Sequence, residues 1–351
     1  MKRTTAIGLA LLSAALFGAS TPAAKYLLGG LSPWLLAGVL YLGSGCGLAT
    51  VLLARRTLGA NADETPLRAP DLPWLAGAVL FGGALGPVLL MAGLARTAAS
   101  TAALLLNLEG LATMAIAWVV FRENVDRRLL LGALAILAGA MLLSWNGGAL
   151  GGLQLGALLI AGACLAWGID NNLTRKISGA DPMQIAAIKG VAAGSTNVAI
   201  GLLLGSHLPA LGAIGEAAVV GLFGYGVSLM CFILALRHLG TARTGAYFST
   251  APFVGAVLSV AMFGDHITVW LALAAALMAL GVWLHLTETH SHEHAHEALE
   301  HEHAHVHDEH HQHAHGPGDP AGEPHAHWHR HRPLVHAHPH NPDLHHRHDH
   351  P

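Results

Sequence analysis

Residues Ala95–Val125 read ARTAASTAALLLNLEGLATMAIAWVVFRENV, and the apolar run Ala99–Phe121 inside this stretch contains a single ionisable residue, Glu109. A helix needs about 20 predominantly apolar residues to cross the hydrocarbon core of a bilayer. The run is long enough to cross, and Arg96 and Arg122 flank it. It therefore predicts a transmembrane helix that carries a carboxylate near its middle.

The composition extends this prediction to most of the chain. Of the 351 residues, 53% are hydrophobic and 11% are charged, whereas a soluble domain has about 25% charged residues. A chain with so little charge cannot cover its surface with polar groups. The tail, residues 287–351, differs sharply, because it holds 23 of the 27 histidines and has no long apolar run.

Ten apolar stretches are separated by short segments with Gly, Pro, Asn and charged residues, as turns require. The sequence therefore predicts an all-α membrane protein with ten transmembrane helices. The stretches are Thr5–Ala24, Pro33–Ala54, Pro73–Ala95, Ala99–Phe121, Arg128–Trp145, Gln154–Thr174, Met183–Leu204, Glu216–Leu236, Thr244–Phe263 and Ile267–Leu286.

The charges of the loops predict the orientation. If the N-terminus is inside, the inner loops carry twelve Lys and Arg residues and the outer side carries two, Lys25 and Arg96. Cytoplasmic loops are enriched in Lys and Arg. We therefore expect a multi-pass protein of a bacterial-type inner (plasma) membrane with both termini in the cytoplasm. The weakest of the ten stretches is Arg128–Trp145, and the location of the tail depends on it.

The two halves of the apolar part share sequence anchors in the same order. The anchors are Phe17-Gly18 with Trp167-Gly168, Ser32-Pro33 with Asp181-Pro182, and Phe121-Arg122-Glu123 with Phe263-Gly264-Asp265. Each half has five helices, an odd number, so the copies run in opposite directions, which is a recurrent transporter architecture. The predicted units are two inverted five-helix repeats, 1–146 and 152–286, and a disordered His-rich tail, 287–351.

Both Ala95–Val125 and its partner Ala235–Ile267, ALRHLGTARTGAYFSTAPFVGAVLSVAMFGDHI, resemble the fourth helix of EamA-type repeats in the drug/metabolite transporter superfamily. The resemblance covers both halves but not the tail. It implies a ten-helix bundle that moves a small molecule by alternating access. The Glu-Pro pair typical of the family is split here, because Gly110 follows Glu109 and Ala251 precedes Pro252.

Ionisable residues inside a membrane span are costly and are functional candidates. Glu109 lies near the middle of its span and either takes up and releases a proton during transport or only packs helices. Lys25 lies at the outer end of the first span and is either a cavity residue or a side chain that extends to the interface.

A second polar run, Asp170-Asn171-Asn172, lies near the inner end of the sixth span, and Lys189 lies at a similar depth in the seventh. An unpaired charge at that depth would cost a few kcal/mol. We therefore expect an Asp170–Lys189 ion pair, either as a static link or as a gate. Asn171 and Asn172 are candidate solute contacts. Glu109 and Asp170 are expected at different depths.

The tail alternates His with other residues, which places imidazoles on one side of an extended chain. Imidazole is a ligand for Zn, Ni, Cu and Co. The tail is therefore expected to bind divalent metal, although no cofactor is required by the bundle. The candidate ligands are His290, His292, His294, His296, His301, His303, His305, His307, His325, His327, His329 and His331.

Three functions follow from these features. The leading one is a secondary exporter of a small organic solute; the others are a Ni, Co or Zn exporter fed by the tail, and a membrane-tethered metal buffer or sensor. The sequence has no Walker loop, GxSxG or HExxH motif, so it does not predict an enzyme. Expected partners are membrane lipid, a small-molecule solute, divalent metal ions and, as an open alternative, a second copy in a homodimer, but no nucleic acid.

Overall fold

A computed structural model describes residues 3–58, 66–121, 127–144, 154–177, 180–239, 244 and 247–286, together with four segments of the tail. Within these residues the bundle consists of ten helical elements. Their bounds are α1, Arg3–Leu27; α2, Pro33–Thr57; α3, in three pieces, Leu72–Ala78, Val79–Leu85 and Gly86–Leu94; α4, in two pieces, Ala99–Leu105 and Leu108–Phe121; α5, Arg127–Ser144; α6, Leu155–Lys176; α7, Pro182–Leu203; α8, in three pieces, Leu211–Gly221, Leu222–Val227 and Ser228–Leu239; α9, Ala251–Phe263; and α10, Val269–Leu286.

Seven of these helices, α1 to α5, α7 and α8, are long and apolar enough to cross a membrane. The ten predicted spans are therefore supported in part. Helix α6 has 22 residues but contains Asp170 and two basic residues at its end. Helices α9 and α10 are apolar but shorter. The predicted ninth span begins at Thr244, whereas α9 begins at Ala251, after a turn at Ser249–Thr250.

Local sequence signals set several helix ends. Pro33 and Pro182 stand at the first positions of α2 and α7, where the missing N–H of proline costs no helical hydrogen bond. Asp181 caps α7, because its Oδ1 accepts a hydrogen bond from the Met183 N–H at 2.9 Å. Helix α9 ends at Gly264, whose φ of 66° is a left-handed conformation that glycine adopts readily.

The packing of the helices is symmetric between the two halves. Helix α1 packs on α8 and α9, and α6 packs on α3 and α4. The pairs α2–α7, α4–α9 and α5–α10 are also in contact, as are α2–α8 and α3–α7. If each of the first five helices is exchanged with the helix five places later, every pairing in this set becomes a pairing that is also in the set. The five-helix halves are therefore two copies of one structural unit.

The buried core lies where the inner faces of α2, α3, α4 and α6 meet. The largest side chains there are fully buried, and they include Leu36, Met91, Leu105 and Ile160. Small residues allow the closest helix contacts, as is common in membranes. Gly45 of α2 and Gly190 of α7 face each other so closely that a Cβ on Gly190 would lie 2.6 Å from the Gly45 Cα.

The described segments of the tail are extended. Strand β1, His290–His296, pairs antiparallel with β4, Leu334–His340, and β2, Glu300–His305, pairs antiparallel with β3, His325–Arg330. The alternating pattern that spaces the histidines also suits an extended chain, and the predicted disorder of the tail stays a prediction. A two-stranded ladder is marginally stable in water, so these pairs contribute little to the stability of the bundle.

The Gly190→Ala variant should lower the unfolding temperature of the purified protein, because the new methyl group meets the backbone of α2. Overpacking of this kind typically costs about 1–3 kcal/mol. Thermal unfolding in detergent measures the change. Gly215→Ala is the matched control, since a Cβ there meets nothing within 4 Å. Equal unfolding temperatures for the two variants would contradict the close approach of α2 and α7.

Candidate functional site

The centre of α3 is a π-helical stretch, Val79–Leu85, which leaves two carbonyl groups without their usual α-helical donors. The Gly86 N–H bonds to the Phe81 carbonyl instead of the Gly82 carbonyl. Pro87 has no N–H to offer, so Gly83 lacks its α-helical donor. Such stretches occur frequently at functional sites. An equivalent π-helical stretch, Leu222–Val227, lies at the matching place in α8.

Side chains of three other helices occupy these carbonyl groups. The Tyr41 hydroxyl of α2 donates to the Gly82 oxygen at 2.8 Å, and the Trp167 indole N–H of α6 donates to the same oxygen at 3.0 Å. The Asn197 amide of α7 donates to the Gly83 oxygen at 2.9 Å. Helices α2, α3, α6 and α7 are therefore joined at one point inside the bundle.

The predicted ion pair between Asp170 of α6 and Lys189 of α7 is present. Asp170 is buried, and its Oδ1 also accepts a hydrogen bond from the Thr174 hydroxyl at 3.0 Å. The carboxylate lies directly on Gly82, where any Cβ would overlap it. Burying a charge is tolerated when the charge is paired and hydrogen-bonded, and both conditions hold for Asp170.

Glu109 begins the second piece of α4 and contacts the polar run of α6. The Asn171 amide donates to Glu109 Oε1 and to the Thr113 hydroxyl, both at 3.1 Å. The Asn172 amide donates to the Thr113 carbonyl at 3.1 Å and to the Gly168 carbonyl at 2.8 Å. Both asparagines predicted as solute contacts are therefore already engaged in holding α4 against α6.

Asp170 and Glu109 belong to one cluster, because Asn171, the residue after Asp170, contacts Glu109. The expectation that the two carboxylates lie at different depths stays a prediction. Depth estimated from sequence position assumes straight helices, whereas α4 is interrupted at Leu106–Asn107.

The charges of this cluster do not balance. Asp170 is neutralised by Lys189, whereas the described residues offer Glu109 one amide and no cation of its own. The two carboxylates and one ammonium group therefore sum to one negative charge when all are ionised. An uncompensated charge is disfavoured in an apolar interior, which makes Glu109 a candidate coupling residue.

Aromatic rings from both halves of the bundle adjoin this cluster, which the sequence analysis missed. Tyr41 and Tyr225 have ring centroids 5.6 Å apart, and Phe17 lies 5.8 Å from Tyr225. Phe248 lies 5.3 Å from Phe17 and 5.0 Å from Phe232. These five residues form the aromatic cluster. Single aromatic residues in apolar helices carry no pattern that distinguishes cavity lining from lipid contact.

Lys25 does not join the cluster around Glu109. Its ammonium group donates to the carbonyl oxygens of Leu94, at 2.6 Å, and Thr97, at 2.9 Å, where α3 ends. A lysine at a helix C-terminus satisfies carbonyl groups that have no helical donor. Its contacts are those of a helix cap, and its predicted role in solute binding stays a prediction.

A cavity of about 1000 Å³ opens elsewhere, between the ends of α4, α5, α9 and α10. Its polar lining includes Ser100, Asp265 and His266. Asp265 already accepts hydrogen bonds from the Ser100 N–H at 3.1 Å and hydroxyl at 2.7 Å, so it acts as a cap for α4. Glu109 and the aromatic cluster do not line this cavity.

The histidine side chains of the tail lie outside what the structure describes, so the predicted metal ligands are not placed. In the described parts of the chain, no group of three or more His, Cys, Asp and Glu side chains converges to hold a metal ion. His285 of α10 is placed, and its Nε2 lies 3.0 Å from the Leu129 carbonyl of α5.

A sequence profile of the EamA-like transporter family matches the chain twice, over residues 4–145 and 154–287. The chain belongs to the EamA-like transporter family. The resemblance read from the helix α4 and α9 regions is therefore confirmed, and the two matches coincide with the two halves that the helix pairings exchange. The chain is a multi-pass membrane protein and a transporter, and it is not an enzyme.

Two curated relatives are similar over much of the chain. An uncharacterized transporter of Methanothermobacter thermautotrophicus is 26% identical over 282 residues, which are 76% of this chain and 82% of that protein. The uncharacterized transporter YyaM of Bacillus subtilis is 24% identical over 204 residues, 55% of this chain and 66% of that protein. These relatives support transport of a small solute across a membrane and name no substrate.

A solved structure supports the fold alone. It is described as "Crystal structure of protein", and it superposes with a TM-score of 0.59 at 20% identity, covering 81% of this chain and 96% of the other. A fold of this kind hosts different substrates.

Asp170→Asn and Lys189→Met should each destabilise the protein by about 3–5 kcal/mol, because each leaves a buried charged partner uncompensated. The double variant should recover a large part of this loss, since it removes both charges. Thermal unfolding of the purified proteins in detergent measures the three changes. A double variant no more stable than the worse single variant would contradict the pairing as the main role of these residues.

Proposed function

We propose that this transporter is a proton-coupled exporter of a small organic solute that works by alternating access. The observation that carries the proposal is Glu109, a carboxylate inside the bundle that contacts no cation among the residues that the structure describes. Asp170, only one residue from the Asn171 that contacts Glu109, has a permanent partner in Lys189. The two carboxylates therefore have different roles: one is structural, and the other is available for a proton or a ligand.

In this proposal, the charge of the cluster couples the export of the solute to the movement of a proton. When the site is empty, a proton on Glu109 neutralises it. A solute that interacts with the Glu109 carboxylate displaces that proton, so each cycle exchanges solute for proton. The Glu109 carboxylate accepts a hydrogen bond from Asn171, whose amide also donates to the Thr113 hydroxyl, and Asn171 follows the paired Asp170 in α6.

Alternating access is supported by the arrangement of the two halves. Their pairings exchange with each other, and substrate sites of such transporters lie between the repeats near the midplane. The proposal keeps the ten spans of the sequence analysis, an inner membrane of bacterial type and cytoplasmic termini. The bias of twelve inner against two outer basic residues supports this orientation.

Glu109→Gln should abolish export, because the amide cannot exchange a proton. The chain is expressed in a transporter-deficient bacterial strain, and growth is measured against a panel of amino acids and toxic organic solutes. The wild type should raise tolerance to at least one solute, and Glu109→Gln should return it to the level of the empty vector at equal protein abundance. Glu216→Gln, at an exposed carboxylate in α8, is the matched control and should behave as the wild type.

Full tolerance with Glu109→Gln would contradict coupling through this residue. An equal loss of tolerance with Glu216→Gln at the same protein abundance would show that the effect is not specific to Glu109 and would also contradict the proposal.

A second function is favoured by the tail, whose 65 residues hold 23 histidines. In this alternative the tail collects Ni, Co, Zn or Cu on the cytoplasmic side, and the bundle exports the metal. Imidazole suits these ions. Against metal transport, no cluster of three ligating side chains converges in the described part of the bundle. A tail that binds metal while the bundle transports nothing is the buffer or sensor alternative.

Truncation after Leu286 separates these functions. If the main proposal is correct, the truncated chain should export the organic solute as well as the full chain does. Neither chain should raise tolerance to nickel, cobalt or zinc. Metal tolerance and cell-associated metal are measured with both chains. Lower cell-associated metal with the full chain, lost on truncation, would contradict the organic-solute proposal and favour tail-fed metal export. Higher cell-associated metal with the full chain would favour the buffer.

A further inference from the structure

The two strand pairs of the tail bring histidines from distant parts of the chain opposite each other. Each pair of strands contains three positions at which a histidine of one strand stands directly across from a histidine of the other. Between β1 and β4 they are His290 with His340, His292 with His338 and His294 with His336. Between β2 and β3 they are His301 with His329, His303 with His327 and His305 with His325. The histidines of one pair are 20 to 50 residues apart in sequence.

Within each pair of strands, the paired histidines lie on one face. Successive residues of a strand alternate between its two faces, and residues directly opposite each other share a face. In β1 and β4 the paired histidines occupy every second position, and residues such as Ser291 and Pro339 stand between them. In β2 and β3 they also occupy every second position, and Glu302 and Trp328 are among the residues between them. Each pair of strands therefore gathers six histidines on one face.

The sequence supports this register independently. Every residue pair of both ladders is equidistant in sequence from His315, so the two ladders belong to one fold-back of the chain. Residues Gly316–Pro324 read GPGDPAGEP, and Gly and Pro clusters of this kind are typical of turns. The motif HAH stands on both sides of this segment, at 303–305 and at 325–327. The sequence therefore predicts the same fold-back that the strand register shows.

Two neighbouring histidine pairs define a rectangle of a size that suits one metal ion. Opposite residues have Cβ atoms about 4.5–5.5 Å apart, and every second residue of a strand is about 6.6 Å further along. The centre of such a rectangle is about 4 Å from each corner. Neutral imidazole is a ligand for Zn, Ni and Cu, with metal–nitrogen distances of about 2.0–2.1 Å for Zn. Four imidazoles can therefore meet at one ion above the face.

A bound ion would add the stability that the ladders lack. A two-stranded ladder is marginally stable in water, and the four strands contain few apolar residues to bury. Where ligands come together only in the folded state, the free energy of metal binding becomes free energy of folding. Metal binding and strand pairing should therefore occur together.

We propose that each ladder is a metal site, in which a divalent transition-metal ion binds two neighbouring cross-strand histidine pairs and so closes the tail around two ions. The site between β1 and β4 uses two of its three pairs, and the site between β2 and β3 does the same. His336, His338 and His340 become ligands, although the sequence analysis did not include them. This inference goes beyond the exporter function and does not depend on which solute the bundle moves.

The rival arrangement is metal binding within one run of the chain, such as His290–His296, without a partner strand. The two arrangements differ in how substitutions combine. If each run binds by itself, the losses caused by substitutions in β1 and β4 should add. If both strands share one ion, removing either side loses that ion, and removing both sides loses no more.

Zinc binding by the purified full-length protein in nanodiscs tests the shared site. The ions retained against a competing chelator are counted, and the chain truncated after Leu286 gives the background. The wild type should retain two ions above this background. A β1 variant, a β4 variant and their combination should each retain one. The β1 variant carries His290→Ala, His292→Ala and His294→Ala, and the β4 variant carries His336→Ala, His338→Ala and His340→Ala.

Two further variants complete the comparison. A β3 variant combined with the β4 variant should lose both ions, because the two sets belong to different ladders. The β3 variant carries His325→Ala, His327→Ala and His329→Ala. The matched control removes three histidines of the tail outside the strands and should retain both ions. It carries His345→Ala, His346→Ala and His348→Ala.

Nitroxide labels measure strand pairing directly. Cysteines are placed at Ser291 and Pro339, which stand opposite each other between the histidine positions, after Cys46, Cys164 and Cys231 are replaced by serine. Zinc should produce dipolar broadening of the spectrum, and a chelator should remove it.

Four outcomes would overturn the inference: both ions retained by the β4 variant, fewer ions in the combined β1 and β4 variant than in either alone, an ion lost in the matched control, or no zinc-dependent broadening. None of these measurements involves export, so their failure leaves the exporter proposal as it stands.

Discussion

The packing of helices at the centre of the bundle depends on hydrogen bonds to the carbonyl groups of Gly82 and Gly83. The π-helical turn and Pro87 deprive them of their α-helical donors, and an unpaired carbonyl in an apolar interior costs several kcal/mol. Tyr41, Trp167 and Asn197 supply donors from three other helices. The absence of a side chain at Gly82 also makes the space in which the Asp170 carboxylate is buried.

The two carboxylates of the cluster differ in their partners. Asp170 is neutralised and hydrogen-bonded, whereas among the described residues Glu109 receives an amide from Asn171 and no cation. Because charges interact strongly in low-dielectric surroundings, we propose that Glu109 takes a proton or a ligand during transport. Asp170 therefore has a structural role, whereas we propose a functional role for Glu109.

Much of this could be predicted from the sequence, because apolar length, loop charge and the isolated charges are local signals. They gave the helices of the bundle, the two related halves and the Asp170–Lys189 pair. The contact of Glu109 with Asn171 could not be predicted, since it depends on the break in α4 and on how α4 and α6 pack. The aromatic cluster and the Lys25 cap depend in the same way on tertiary contacts. The turn at Ser249–Thr250, which separates the helical residues Tyr247 and Phe248 from α9, could not be predicted either, since Ser and Thr occur within helices as well.

The central claim is that Glu109, and not Asp170, is the carboxyl group that exchanges a proton. Infrared difference spectroscopy of the protein in lipid bilayers, recorded while the pH is changed, measures this directly. The account predicts a protonated-carboxyl band that disappears as the pH is raised, is missing in Glu109→Gln and persists in the Asp170→Asn, Lys189→Met double variant. A band that persists in Glu109→Gln and is lost in the double variant would contradict it.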